Sequence, residues 1–336
     1  MSKNPIISEV DFQKDGKHYG FLRLPHSVHR SAYGWLPIPV ASIKNGAGPT
    51  VLIMGGNHGD EYEGQVLVAE LIRILQPDMI SGQVILLPMA NFPAAQAGRR
   101  TSPIDAGNLN RSFPGHAQGS PTEVIAHYIE HTLLPLCDYV LDLHSGGTSL
   151  VYNGANMLML APRNEAEKQK VLALINAFGL PSAFFLGANP VTISSAARRQ
   201  GAISIVAELG GGGCISPQIL QQAKQGVLHF LYKQEMLRGP LAVTTPPAKP
   251  RIMHIDAEKH YAYARHEGVF APNFNLGDTV KKGDTAGYVH FPAQPWQSPE
   301  PIYFAGDGEI ICQRALAQVR PGDCVFQLGE KTNLNH

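Results

Sequence analysis

A short glycine-rich segment contains a histidine and a glutamate at a spacing that suits a metal ion. His58 and Glu61 lie in the segment 55–61, GGNHGDE, directly after an apolar run that is predicted to form a strand over 51–54. An imidazole and a carboxylate three residues apart can converge on one cation, and glycine lets the loop turn tightly. The spacing alone is weak evidence, because HxxE arises often by chance and such a histidine is usually a hydrogen-bonded loop residue.

A second segment, 138–147 with the sequence DYVLDLHSGG, ends a predicted buried strand with a histidine. Asp142 and His144 point to the same side of an extended strand, so the carboxylate can orient the imidazole as an outer partner of a metal ligand. In isolation the two residues could equally be a hydrogen-bonded pair of the core. Together with His58 and Glu61, however, His144 provides the three protein ligands of a catalytic zinc, with a fourth position left for water.

A charged residue also interrupts an apolar strand predicted over 203–209. Glu208 precedes a run of four glycines in the sequence VAELGGGG. Burying a carboxylate costs free energy unless it has a partner or a functional role, so Glu208 is a candidate general base. A strand glutamate in a salt bridge is the simpler alternative. The glycine run lacks the GxGxxG spacing and the lysine of a phosphate-binding loop, which argues against a nucleotide site.

Arginines and an asparagine cluster in the segment between 91 and 115. Arg99, Arg100, Asn110 and Arg111 all fall between predicted strands that bear candidate metal ligands. Such groups can clamp a substrate carboxylate or stabilise the oxyanion that forms when water attacks an amide, although loop arginines are more often surface groups. The sequence does not by itself assign these tasks to particular side chains.

The elements around these motifs alternate between strands and helices. Apolar periodicity predicts strands over 51–54, 84–89, 139–143, 157–160 and 203–209, and helices over 62–75, 122–134 and 165–178. This order is typical of an α/β fold with a mixed, mostly parallel sheet flanked by helices, in which ligands bind beyond the carboxyl ends of the strands. The candidate ligands follow predicted strands, as such a site requires.

Composition favours a small-molecule partner. The 336 residues include 27 basic and 27 acidic side chains, and 44% of the chain is hydrophobic. A balanced charge gives no reason to expect nucleic acid or an anionic membrane as partner, although a homo-oligomer is possible. The amino terminus lacks the apolar core of a signal peptide and the four cysteines form no CxxC pair, so we expect a cytoplasmic protein without a disulfide framework.

The carboxyl-terminal part has a different character. A proline-rich segment at 244–250 predicts a linker between a catalytic domain over 1–243, which includes an amino-terminal β segment over 1–49, and a β-rich capping domain over 251–336. The last part resembles the barrel-sandwich fold of lipoyl and biotinyl domains. It has no lysine at the hairpin tip after Val289, so we expect a cap or an oligomerisation module and not a carrier domain.

The motifs GxxHGxE, NLNRxFPG, DLHxG and ELGG, in this order between 51 and 213, resemble the succinylglutamate desuccinylase and aspartoacylase family of zinc carboxypeptidase-like enzymes. The resemblance implies one zinc ion per chain on His58, Glu61 and His144. It also implies Glu208 as the base. Further roles implied by the resemblance are Arg100 as the group that polarises the scissile carbonyl, with the adjacent Arg99 as the alternative, and Asn110 with Arg111 as the holders of a substrate carboxylate.

Within this family, the segment RTSPID and the carboxyl-terminal part are most similar to the branch that deacetylates Nα-acetyl-L-2,4-diaminobutyrate in ectoine degradation. The expected substrate is therefore a small N-acyl amino acid, and the expected reaction is hydrolysis of its amide. A deacylase of the succinylglutamate or acetylaspartate type, a carboxypeptidase and a non-catalytic metal- or ligand-binding protein remain alternatives.

Overall fold

The computed structural model describes residues 3–241 and 249–332 of the chain. Its described elements are strands, helices and short helical turns. The strands are β1 Ile7–Ser8, β2 Gly16–Pro25, β3 Trp35–Asn45, β4 Thr50–Gly55, β5 Gly82–Leu87, β6 Tyr139–His144, β7 Leu150–Leu160, β8 Ser182–Leu186, β9 Ile203–Gly211, β10 Arg251–His254, β11 Tyr261–Tyr263, β12 Gly268–Pro272, β13 Thr279–Val280, β14 Thr285–His290, β15 Glu300–Tyr303, β16 Gly308–Arg314, β17 Gln318–Val319 and β18 Cys324–Lys331. The helices are α1 Tyr62–Ile74, α2 Phe92–Ala97, α3 Pro121–Tyr128, α4 Glu165–Phe178, α5 Ile193–Arg199 and α6 Pro217–Lys233.

The expected mixed α/β sheet is present, but the prediction that it is mostly parallel holds only for its centre, because the amino- and carboxyl-terminal strands add mainly antiparallel pairs. Its centre has the order β5-β4-β6-β9, and every neighbouring pair in this group is parallel. On one side β3 joins β5 antiparallel, and on the other side β7 joins β9 antiparallel. The carboxyl ends of β4, β6 and β9 therefore lie side by side at one edge, which is where an α/β sheet places its ligands.

The central strands are buried on both faces. Within β4, the alternating residues Val51 and Ile53 join one apolar cluster, and Leu52 and Met54 join another. Helices α1, α4 and α6 contribute to the first cluster, whereas α3 and α5 contribute to the second. Burial of both faces explains why these strands are continuous apolar runs in the sequence and do not alternate with polar residues.

The amino-terminal β segment predicted over 1–49 contains β1, β2 and β3, which pair antiparallel in this order and form one edge of the main sheet. The predicted helix over 122–134 is α3 followed by a π-helical turn at Ile129–Leu133 and a 3₁₀ turn at Leu134–Leu136. The short elements α2, α5 and β8 are additions that the sequence patterns did not predict. None of the helices in the described ranges is long and apolar enough to span a membrane.

The carboxyl-terminal strands continue the main sheet. Strand β10 pairs parallel with β8, and β16 pairs antiparallel with β7. Strand β18 then joins β10, β16 and β11, while β15, β14, β12 and β17 form a second sheet. Most of the predicted linker at 244–250 lies outside the described residues, so the division into a catalytic and a capping domain stays a prediction.

Candidate metal centre and active site

Two parallel strands bring three candidate ligands together. His58 and Glu61 follow β4, and His144 is the last residue of the neighbouring strand β6. The loop after β4 can lie this close to its surroundings because two of its positions are glycine. A Cβ atom on Gly59 would stand 1.9 Å from the carbonyl oxygen of Ala94, so no other residue fits there without movement of the backbone.

The ligating atoms of these residues are within contact distance. One oxygen of Glu61 lies 2.7 Å from Nδ1 of His58, and its other oxygen lies 2.7 Å from Nδ1 of His144. The two Nδ1 atoms are themselves 3.2 Å apart. One donor atom from each side chain lies within 4.8 Å of the others, and all three residues are buried. We call this group, His58, Glu61 and His144, the metal-ligand cluster because its donor atoms could hold one metal ion.

Outer hydrogen bonds orient both imidazoles. Nε2 of His144 lies 2.6 Å from a carboxylate oxygen of Asp142, the residue expected in this role. Nε2 of His58 lies 3.1 Å from the side-chain oxygen of Asn108. Asn57 donates to the same oxygen of Asp142 at 2.9 Å. Because Nε2 of each ring contacts an outer side chain, Nδ1 of each ring points towards Glu61. Histidines that bind a metal through one ring nitrogen usually have such an outer partner at the other nitrogen.

The charges of the cluster also fit a cation. Burial lowers the pKa of His58, although Glu61 opposes this. Burial alone would lower the pKa of His144, but the carboxylates of Asp142 and Glu61 raise it well above its usual range. The two imidazoles outweigh burial and hold the pKa of Glu61 well below its usual range. An ionised carboxylate between two imidazole nitrogens is a donor set that a divalent metal ion can bind.

Glu208 lies beside the cluster on the next strand. It is the register partner of His144 in the parallel pair of β6 and β9. Burial raises the pKa of Glu208 to about 8, the nearby Glu61 adds to this, and His144 and Arg100 oppose it. One of its carboxylate oxygens is buried without a hydrogen-bond partner in the described chain. An unpartnered carboxyl group of this kind can accept and return a proton.

The two adjacent arginines of the loop differ in position. Nη1 of Arg100 lies 3.3 Å from Nδ1 of His58 and 3.4 Å from an oxygen of Glu61, and its side chain is 49% exposed. Arg99 instead contacts the metal loop through its backbone, because its carbonyl accepts a hydrogen bond from the amide of Gly59 at 2.8 Å. The geometry therefore favours Arg100 as the arginine that can reach a reacting carbonyl.

Asn110 and Arg111 lie on a 3₁₀ turn at the cavity rim. The side-chain oxygen of Asn110 accepts from the amide of Ile193, the first residue of α5, and its Nδ2 lies 3.4 Å from Nε2 of His144. Burial and the nearby Arg100 guanidinium lower the pKa of Arg111. Both guanidiniums line the same cavity, so an anionic group bound there would be stabilised by their charge.

One cavity of about 500 Å³ is lined by the metal-ligand cluster together with Arg100, Asn110, Arg111 and Glu208. Asp142 is not among its lining residues and contacts Nε2 of His144. This volume suits a small molecule. The cavity also receives side chains that the sequence motifs did not single out. Tyr152 comes from β7, and Tyr261 and Gln327 come from the carboxyl-terminal strands. The lining residues with polar side chains include His58, Glu61, Arg100, Asn110, Arg111, His144, Ser145, Ser149, Tyr152, Asn189, Thr192, Ser194, Glu208, Tyr261 and Gln327.

Comparison with known proteins agrees with this arrangement. The model of the succinylglutamate desuccinylase/aspartoacylase catalytic domain matches residues 47–233. The chain is 40% identical to an N-alpha-acetyl-L-2,4-diaminobutyric acid deacetylase of Halomonas elongata, and the match covers 97% of this chain and 95% of the relative.

Solved structures are similar over nearly the whole chain. A product-bound structure of the ectoine utilization protein EutE (DoeB) from Ruegeria pomeroyi has a TM-score of 0.91 and 36% identity, covering 98% of this chain and 100% of that one. A succinylglutamate desuccinylase/aspartoacylase from Rhodobacter sphaeroides has a TM-score of 0.91 and 33% identity, with the same coverage. The chain therefore belongs to the succinylglutamate desuccinylase and aspartoacylase family.

Proposed function

We propose that this protein is a zinc-dependent deacetylase that hydrolyses Nα-acetyl-L-2,4-diaminobutyrate to acetate and L-2,4-diaminobutyrate, a reaction of ectoine degradation. The main structural support is the metal-ligand cluster, which lies beside Glu208 in a cavity that suits a small substrate. The 40% identity to a deacetylase with this substrate supports the choice of acyl group and amino acid.

His58, Glu61 and His144 would hold the zinc ion. Two imidazole nitrogens and a carboxylate are a donor set that zinc uses in hydrolases with an open coordination position. When bound, zinc would polarise the substrate carbonyl and lower the pKa of the attacking water towards about 7. Asp142 and Asn108 would keep the rings oriented, since they contact the outward Nε2 atoms at 2.6 and 3.1 Å.

Glu208 would move the proton. Its unpartnered carboxylate oxygen accepts a proton from the water that attacks the acetyl carbonyl carbon. The same oxygen then returns this proton to the amide nitrogen as the C–N bond breaks, so that the amine leaves neutral. A carboxyl group with a raised pKa suits both halves of this cycle, because it is neither a strong acid nor permanently ionised.

Arg100 would stabilise the charge that develops on the carbonyl oxygen. Its guanidinium lies beside the metal-ligand cluster and is half-exposed in the cavity, so it can donate to a developing oxyanion. Asn110 and Arg111 would hold the α-carboxylate of the substrate. Arg100 and Arg111 both line the cavity, and their positive charges would favour an anionic substrate group.

The direct test is acetate release by the zinc-loaded protein from Nα-acetyl-L-2,4-diaminobutyrate. Its Nγ-acetyl isomer, acetylaspartate, succinylglutamate and a short peptide are measured in parallel at equal concentration. We expect the Nα-acetyl isomer to give the highest kcat/KM. Preference for another acyl amino acid would overturn the substrate, cleavage of the peptide alone would favour a carboxypeptidase, and no reaction with any compound would favour a binding protein.

A further inference from the structure

One row of side chains crosses four strands of the sheet and ends in the active-site cavity. Tyr152 on β7 is paired with Cys312 on β16, Cys312 is paired with Gln327 on β18, and Gln327 is paired with Tyr261 on β11. Residues paired across antiparallel strands project from the same face. Cys312 is buried, whereas Tyr152, Gln327 and Tyr261 line the cavity. These three residues are called the acceptor row.

The acceptor row has free hydrogen-bonding capacity. Nε2 of Gln327 donates to the hydroxyl oxygen of Tyr261 at 2.6 Å, which fixes the orientation of the amide. The carbonyl oxygen of Gln327 and the hydroxyl of Tyr152 make no side-chain hydrogen bond to other described residues. An amide oxygen and phenol oxygens all accept, and an ammonium group has three hydrogens to donate.

The charge around the acceptor row favours a cation over an anion. Among the cavity-lining residues, the cationic side chains are Arg100 and Arg111, which both belong to the loop between α2 and α3. The acceptor row itself is neutral, and Glu208 lines the same cavity. A side-chain carboxylate there would meet oxygen acceptors without a guanidinium of its own, whereas an ammonium group could donate to those oxygens.

We propose that Tyr152, Gln327 and Tyr261 form the subsite that receives the side-chain ammonium of the substrate and so selects an amino side chain over a neutral or acidic one. This inference deepens the proposed function and rests on it for the identity of the substrate. It divides the cavity into an arginine end that receives the α-carboxylate and an oxygen-rich end that receives the second amine. A substrate with two carboxylates would suit the first end and be repelled from the second.

The subsite can be measured without turnover. Isothermal titration of the zinc-loaded protein compares L-2,4-diaminobutyrate with L-2-aminobutyrate, which has the same carbon skeleton without the second amine. We expect the diamine to bind about tenfold more tightly or better, because hydrogen bonds to a charged group are stronger than those between neutral groups. Gln327→Leu and Tyr152→Phe should each reduce this preference severalfold. In the same variants, the ratio of kcat/KM for the Nα-acetyl derivative of the diamine to kcat/KM for that of L-2-aminobutyrate should also fall. This fall should come mainly from a higher KM for the diamine derivative.

Tyr263→Phe is the matched control. Tyr263 lies on the same strand as Tyr261 with its ring stacked at 6.1 Å, but it is 48% exposed and outside the set of residues that line the described cavity. Removal of its hydroxyl should leave the preference for the diamine unchanged. Melting temperature and zinc content are measured for each variant, so that a folding defect is recognised, and Tyr261→Phe replaces any variant that does not fold.

The outcomes separate the subsite from the proposed function. Equal binding of the two amino acids by the unmodified protein would overturn the subsite. The subsite would also be overturned if Gln327→Leu and Tyr152→Phe both kept the preference for the diamine. The same holds if these variants lost affinity equally for the diamine and for L-2-aminobutyrate. Preferred binding of the diamine, without hydrolysis of its Nα-acetyl derivative, would support the subsite and overturn the proposed reaction.

Discussion

The metal-ligand cluster and the acceptor row are opposite in character although they share one cavity. The cluster is charged, buried and densely connected, with His58, Glu61 and His144 separated by 2.7–3.2 Å at their ligating atoms. The acceptor row is neutral and has hydrogen-bonding capacity left over. The cluster also lies within the 47–233 segment that the family model matches, whereas Tyr261 and Gln327 lie beyond it.

This difference separates two tasks. Bond cleavage needs atoms that are held in place before substrate arrives, which a network of charged and hydrogen-bonded groups provides. Substrate choice needs unfilled hydrogen-bonding positions that the correct substrate completes. Changes to the cluster and its neighbours should therefore reduce turnover of every acyl amino acid, whereas changes to the acceptor row should alter the ranking of substrates.

Replacement of Glu208 should have the largest effect. Glu208→Gln keeps the shape and removes the proton acceptor, so we expect kcat to fall by on the order of 10³-fold for every substrate. Zinc content should stay at one ion per chain, because the metal-ligand cluster is unchanged. Steady-state kinetics with metal analysis checks this prediction, and a Gln variant with near-normal kcat would remove Glu208 from the mechanism.

The two adjacent arginines should differ sharply. Arg100→Ala removes the guanidinium nearest the cluster, so we expect kcat to fall about 10²-fold through loss of oxyanion stabilisation. Arg99→Ala keeps the backbone carbonyl that accepts a hydrogen bond from the amide of Gly59. We therefore expect kcat to fall by less than about threefold in this variant. The same kinetic assay compares both variants. A larger loss in Arg99→Ala would exchange the roles of the two residues.

The outer partner of His144 should affect metal binding more than chemistry. In Asp142→Asn the neutral amide no longer raises the basicity of the His144 ring or fixes its tautomer as a carboxylate does, so zinc affinity should fall by about 10- to 100-fold. Competition with a chelating dye measures this affinity. At saturating zinc most of the activity should return, and failure to recover it would indicate that Asp142 acts directly in the reaction.

The smallest effect concerns stability and its pH dependence. Glu63, in the first turn of α1, is 1% exposed, neither of its carboxylate oxygens has a hydrogen bond from the described residues, and burial raises its pKa to about 7. A raised pKa means that the folded state prefers the protonated form of Glu63. The contribution of this group to stability is therefore fully present below the unfolded pKa near 4.5 and is lost as pH rises through about 7.

Glu63→Gln should therefore match the native protein at low pH and become more stable above neutrality. We expect a gain of about 1–3 kcal/mol in the free energy of unfolding at pH 8 and less than about 1 kcal/mol at pH 5. Denaturant titrations at the two pH values, with zinc present at the same saturation, measure it. A difference that is equal at both pH values would mean that the ionised carboxylate is not the destabilising group.

The sequence predicts the metal-ligand cluster better than any other part of the site. His58 and Glu61 share a short glycine-rich segment, and His144 ends an apolar strand that is buried on both faces. Each of these features can be recognised from neighbouring residues in the sequence. Parallel neighbours then bring these strand ends together, as the α/β alternation implies. Asn108 was not distinguished from its neighbours, because an amide in a loop shows no periodicity.

The acceptor row has no comparable signal. Tyr152 and Cys312 become neighbours through the pairing of β7 with β16, which are far apart in the chain. The register of β16 against β18 is irregular between Ile310 and Cys312, so even a correct strand prediction would not align Gln327 with the cavity. Only the folded sheet reveals that these residues meet the site.

The hydrogen bonds of β10 to β8 and of β16 to β7 also bear on how the molecule unfolds. Because these ladders join the carboxyl-terminal strands to the sheet behind the metal-ligand cluster, separating the two would expose strand edges and apolar surface on both. Amide protons in β18 should thus exchange with solvent as slowly as those in β9. The cavity would then be lost in a single cooperative event and not by stepwise loosening of its cap.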